Sequence, residues 1–375
     1  MTRITKIDLR LIDIDPSTRY KDGKIPPGRP NRWTFPLLTI HTDAGISGHS
    51  MAYGPQGDGA ALAEILRFVY LPEIVGENPL NIEYIWKKLH RKQRHLYNSS
   101  ASLIGVIDVA LWDIVGKLCN QPISVLLGMH SKTIPAYMSA RSEHYTAEEI
   151  SLEAVAAKEA GYHGYKLQIR GGPAKDIPLL NAAREAVGEN FLLMQDPNAA
   201  YSIEEALLVG RELDRLNFHW FEEPIAESQH ANYNYLSSRL NTPLLAGETV
   251  GLFDLPNLIR NRSATMLRGD VLIKGGITGL RKAIAVSELF GFKLEIHTAN
   301  TPLLDIANLH VAAATENNTF IEVHHPVFRF GLEDHPFDNI DSRGHIAVPK
   351  DPGLGVKIDW DWIENHTSAT LSLPN

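Results

Sequence analysis

The 375-residue chain has a single cysteine, Cys119. It can form no intramolecular disulfide, which fits a reducing compartment. Its apolar, helix-like neighbours (LWDIVGKLC) predict a small core residue rather than a nucleophile. No apolar run approaches the length of a membrane span. The amino-terminal MTRITKIDLRLIDID alternates like a strand and lacks the apolar stretch of an export signal, so a cytoplasmic location is expected. Basic blocks are missing too: Lys and Arg number 36 against 44 Asp and Glu, a net charge of −8. That balance argues against nucleic acid or an anionic membrane surface as partner. No GxGxxG follows the first strand pattern, which disfavours a dinucleotide-binding sheet. The lack of an HxH or HExxH pair disfavours zinc and a metal-dependent hydrolase barrel.

What is present reads as two domains, because one hydrophobic core rarely grows past roughly 250–300 residues. Residues 1–125 look α+β. Strand-like alternation covers Ile4–Ile14 and 35–41, and 102–118 is apolar on most sides, as a buried helix is. Asp108 and Asp113 lie within that helix and need partners there. Between 134 and 323 the rhythm changes. Eight short apolar runs alternate with amphipathic helical patterns: IPAYMS, GYKLQI, FLLMQD, HWFEE, PLLAGE, TMLRGD, KLEIH and TFIEV. Thr146 with Glu149 and Ser202 with Glu205 form capping boxes at two of the helices, and Gly161 closes the first of them. This pattern predicts a (β/α)8-type barrel over 126–345 behind an N-terminal α+β capping domain, with the tail 346–375 packing back on that domain.

In such a barrel the C-terminal ends of the strands carry the chemistry. Polar residues toward the ends of successive runs are Lys166, Asp196, Glu222, Glu248, Asp270, His297 and Glu322, one per β/α unit. Asp196, Glu222 and Glu248 come from three adjacent strands and would repel one another around one mouth. Lysine and arginine, Lys166 nearest, are one source of compensation. A hard divalent cation is the other and suits three carboxylate oxygens better. Asp270 and His297, on neighbouring strands, suit a general base with its orienting carboxylate. Lys166, Gln168 and Arg170 share one strand face, while Tyr165, Leu167 and Ile169 share the other.

The motifs VALWDIVGK (109–117), YKLQ (165–168), DPN (196–198), WFEEP (220–224), GET (247–249), GDVLIKGGITG (269–279), EIH (295–297) and FIE (320–322) resemble the enolase superfamily and, within it, the mandelate racemase subgroup. The resemblance spans nearly the whole chain. It implies Mg2+ held by Asp196, Glu222 and Glu248, and His297–Asp270 as the base for a proton α to a carboxylate. It further implies a protonated Glu322 bonding that carboxylate, Lys166 as the first lysine of a KxK pair, and Asn198 touching the α-substituent. Gln168 stands where the pair's second lysine belongs and cannot take a proton.

With one base missing, the expected reaction is dehydration of an acid sugar to a 2-keto-3-deoxy acid. A racemase or epimerase of a 2-hydroxy acid using Lys166 or Lys274, and a non-catalytic sugar-acid binder, are the alternatives. Arg170, Arg19, Tyr20 and His325, together with His324, are further candidates for touching substrate. The loops 15–32 and 53–59 are expected to cover the barrel mouth. By resemblance the protein is a homo-oligomer, dimer or octamer.

Overall fold

The computed structural model describes residues 2–374 except 20–22, 26, 56, 94–100, 141–145, 299–300 and 325–328; of residues 18 and 19 only the backbone is described. The N-terminal sheet is antiparallel. β1 (Ile4–Ile14), β2 (Trp33–Thr42) and β3 (Ser47–Met51) form its first three strands. The chain's last strand, β13 (Thr367–Leu373), pairs with β1 on the outer edge, Ile7 opposite Leu373.

Eight parallel strands follow: β4 (Thr133–Ser139), β5 (Gly164–Leu167), β6 (Leu192–Gln195), β7 (Trp220–Glu222), β8 (Leu244–Ala246), β9 (Met266–Gly269), β10 (Leu294–Ile296) and β11 (Ile321–His324). Each coincides with one of the eight apolar runs. β11 pairs in parallel with β4, Glu322 opposite Tyr137, which closes the barrel. A short β12 (His345–Ala347) adds antiparallel to β4. The segment expected to leave the barrel at 346 therefore begins as a barrel edge before it crosses to β1.

The barrel is filled by side chains. Tyr137, Met194, Trp220, Leu245 and Phe320 form a separate buried cluster inside it, with the Tyr137 and Trp220 rings edge to face at 5.4 Å. The opposite faces of the strands lie under the helices. Tyr165, Leu167 and Ile169 are all buried in the main core, the face that their alternation with Lys166 and Gln168 predicts. Burial of each such side chain stabilises by about 1.5–3 kcal/mol. Both capping boxes are formed.

The helix Ser102–Leu118 joins the two domains. Asp108 accepts the Thr278 amide at 3.0 Å, and Asp113 accepts those of His49 at 3.0 Å and Leu354 at 2.9 Å. Gly276, with φ of +93°, lies so close that an added Cβ would sit 2.2 Å from Asp108 Oδ2. Cys119 departs from expectation. It is exposed, because the helix ends at Leu118 and Cys119 is its C-cap. Among the described residues no helix is long and apolar enough to cross a membrane.

Candidate active site at the barrel mouth

The strand-end residues converge, and their deepest layer is an ion-pair ring. Lys166, Glu222, Arg268 and Glu322 come from the alternate strands β5, β7, β9 and β11, the set that shares one layer in a closed barrel. Lys166 Nζ lies 3.1 Å from Glu222 and 2.9 Å from Glu322. Arg268 closes the other half, Nε 2.9 Å from Glu222 and Nη2 2.5 Å from Glu322. All four are fully or almost fully buried. Two cations therefore balance two carboxylates, and the Tyr137 hydroxyl accepts a further bond from Arg268 at 2.9 Å.

This ring bears on the charge of two groups. Burial alone would raise Glu322, but Lys166 and Arg268 override it and hold the carboxyl well below the usual range. The expected protonated Glu322 is thus corrected: its partners are two cations from across the barrel. Burial would lower Lys166, yet Glu222 and Glu322 raise it well above an ordinary lysine. An ammonium so held is a poor base.

Arg268 was not anticipated. Reading only the last polar residue of each run picks Asp270 from TMLRGD. The signal lay in period two, since Arg268 and Asp270 share a strand face just as Lys166 and Gln168 do.

Asp270 and His297 are brought together at the ends of β9 and β10. His297 Nδ1 lies 2.8 Å from Asp270 Oδ2, while Asp270 Oδ1 accepts the Ile273 amide at 2.7 Å. The carboxylate thus fixes the ring and leaves Nε2 facing Glu248, 3.6 Å away. Burial would depress the imidazole, but Glu248, the Asp270 bond and Glu322 outweigh it and lift His297 to about 9. Asp270 itself would be raised by burial, and its bond with His297 brings it below the ordinary value.

Asp196, Glu222 and Glu248 stand at the same mouth and sense one another. Burial and the Glu222 charge push Asp196 up to about 7, and burial with Glu222 also raises Glu248. Chemically, three hard oxygen donors that repel one another fit a divalent cation. Among the described residues, however, no three Asp, Glu, His or Cys side chains are gathered as one coordination sphere. The cause is local. Both Glu222 oxygens engage Lys166 and Arg268, Glu248 faces His297, and Asp196 accepts the Asn198 amides.

The remaining candidates divide. Asn198 donates its side-chain amide to Asp196 at 3.1 Å and accepts from Arg170 Nη1 at 2.9 Å, so these two brace Asp196. Gln168 meets His324, their Nε2 atoms 3.5 Å apart. Burial lowers the pKa of Lys274, against the pull of Asp270 and the nearby glutamates, while its position ties it to backbone. It is fully buried, and its ammonium donates to the carbonyls of Gly247, Glu248 and Val250 at 2.5, 3.1 and 2.5 Å. Tyr20 and His325 lie outside the described residues, as does the Arg19 side chain. A cavity of about 640 Å³ adjoins the carboxylates, lined by Asn198, Glu223, Glu227, Glu248 and Thr249 among others.

Residues 149–362 match the enolase C-terminal domain-like family, and residues 24–128 match the mandelate racemase / muconate lactonizing enzyme N-terminal domain. The chain belongs to this family of the enolase superfamily. Arabinonate dehydratase of Saccharolobus solfataricus is 33% identical over 332 residues, 85% of this chain and 87% of that protein. D-galactarolactone cycloisomerase of Agrobacterium fabrum is 27% identical over 374 residues, 96% of this chain and 97% of the relative. The crystal structure of L-talarate dehydratase from Polaromonas sp. JS666, complexed with Mg and L-glucarate, superposes with a TM-score of 0.86 at 25% identity, with full coverage of both chains. Dehydratases and cycloisomerases among the relatives are consistent with a lyase.

Proposed function

We propose that the protein is a Mg2+-dependent dehydratase of an acid sugar, removing the proton α to a carboxylate and the β-hydroxyl to give a 2-keto-3-deoxy acid. The observation that carries this reading is the Asp270–His297 pair, 2.8 Å apart at the barrel mouth with Nε2 turned toward Glu248. Asp270 holds the ring so that Nε2, once unprotonated, takes the α-proton. Against burial, the Glu248 charge is the main force lifting the imidazole, and a cation held by that carboxylate would offset it and favour the unprotonated ring. Lys166 and Arg268 fix Glu322 at the floor of the site. When bound by Asp196, Glu222 and Glu248, Mg2+ would supply Lewis-acid stabilisation of the charge that develops on the substrate carboxylate. A racemase relying on Lys166 or Lys274 as second base finds no support, since the first sits between carboxylates and the second is bound to backbone carbonyls.

The test is a screen of mono- and diacid sugars, arabinonate and L-talarate first, with Mg2+ and semicarbazide detection of 2-keto products. The expected result is one 2-keto-3-deoxy acid from at least one sugar, with His297→Asn abolishing its release. Binding without turnover across the set would favour a non-catalytic sugar-acid binder instead.

A further inference from the structure

The ion-pair ring sets the height of the layer above it. Two residues on from Lys166, Arg268 and Glu322 come Gln168 and Asp270, just past the ends of β5 and β9, and His324, the last residue of β11. Asp270 already holds His297. On the opposite strands of that layer, β5 and β11, Gln168 and His324 meet at 3.5 Å. Both strands flank β4: Lys166 and His324 are each paired with Ser139. Two imidazoles therefore stand above the ring, one held by Asp270 and one by Gln168, and the Glu322 carboxylate is within electrostatic reach of both.

We propose that His324, oriented by Gln168, is the second acid–base residue of this site, and that it protonates the β-hydroxyl as that group leaves. The proposal rests on the dehydratase reading given above. His297 takes the α-proton, and the C–H electron pair moves into an enediolate. That pair then forms the Cα–Cβ double bond as the Cβ–O bond breaks. The oxygen keeps the bonding electrons, takes a proton from the His324 imidazolium and departs as water. The enol ketonises to the 2-keto acid, and the histidines return to their starting states by exchange with solvent.

The neutral residue at 168 follows from this role. An amide can donate to an unprotonated imidazole nitrogen or, turned over, accept from a protonated one. It thus serves both states of His324. A lysine ammonium at the same place would repel the imidazolium that the step requires. Among the described residues, the charged groups that face His324 include Glu322, which senses it electrostatically, and Arg329, whose Nη2 bonds the His324 carbonyl at 3.4 Å.

The experiment compares wild type, His324→Asn and Gln168→Leu in D2O, using an acid sugar that the wild type dehydrates. Loss of the α-proton signal and release of 2-keto acid are followed in the same tube. His324→Asn is expected to lower 2-keto release by about 100-fold or more while α-proton exchange continues through His297. Gln168→Leu is expected to lower release less. The 3-deoxy-3-fluoro analogue carries a leaving group that needs no proton, and on it His324→Asn should approach the wild-type rate, which a merely structural role would not allow. Release by His324→Asn within a few-fold of wild type overturns the proposal, as does loss of exchange and release together with no recovery on the fluoro analogue. A wild type that releases no 2-keto acid from any sugar sinks the dehydratase reading itself, a different result from either.

Discussion

Lys274 lies 3.1 Å from the Glu248 carbonyl, and through Gly247 and Val250 it holds both flanks of that residue as well. A lysine from the segment after β9 thus anchors the turn after β8, where Gly247 takes a φ of +119°. Glu223 secures the same turn from the other side by accepting the Glu248 amide at 3.0 Å. Lys274→Met is expected to loosen this turn and weaken Mg2+ binding by roughly 10- to 100-fold, the usual cost of disturbing a ligand's support. Calorimetric titration with Mg2+ measures it. Affinity equal to wild type would mean that Glu248 is positioned without Lys274.

The Asp196 carboxyl is raised to about 7 by burial and by repulsion from the Glu222 charge even though Lys166 stands 3.5 Å away, so its charge is only partly compensated. Asp196→Asn removes that repulsion. The variant should melt a few degrees higher than wild type in EDTA, and Mg2+ should raise the Tm of wild type but not that of the variant. If the Mg2+-induced rise survives the substitution, the ion binds elsewhere.

Arg268 is expected to matter more for stability than any residue of the proposed reaction. It is fully buried and neutralises half of the charge on Glu222 and on Glu322. Arg268→Met leaves those carboxylates facing Lys166 alone, and removal of one partner from a buried ionic group costs about 3–5 kcal/mol. Urea unfolding monitored by circular dichroism reads the loss. A change under about 1 kcal/mol would contradict the ring as drawn.

The barrel was legible in the sequence because its signal is repeated. Eight apolar runs spaced by amphipathic helices leave few arrangements that bury all of them, and the capping boxes at Thr146 and Ser202 mark two helix starts directly. The ring of charge was legible in three of its four members. Lys166, Glu222 and Glu322 were read off their runs, but Arg268 is masked by Asp270, which follows it two residues later and ends its run. Protonation was not legible at all, because the state of Glu322 depends on cations from β5 and β9 that only closure of the barrel brings to it. The setting of Lys274 was hidden for a related reason: its partners are backbone carbonyls, and these carry no side-chain signature. Cys119 misled because burial changes abruptly where a helix ends.

Acid should destabilise the fold through its buried neutral histidines, and His310 is the cleanest case. Its Nδ1 accepts the Ser124 amide at 3.2 Å, while Nε2 donates to the Leu354 carbonyl at 3.0 Å. This arrangement requires the uncharged ring with its proton on Nε2. Burial holds its pKa down to about 4, against 6.5 for an ordinary histidine. Between those values the unfolded chain binds a proton that the folded one refuses. The contribution is therefore complete above pH 6.5 and is lost as pH falls toward 4. A displacement of that size corresponds to about 3 kcal/mol as an order of magnitude. His310→Gln keeps an acceptor and a donor without titrating. Its Tm should fall less steeply than that of wild type from pH 7 to pH 4.5, although it starts lower for imperfect packing. Parallel curves for the two proteins would show that His310 does not set the acid limit.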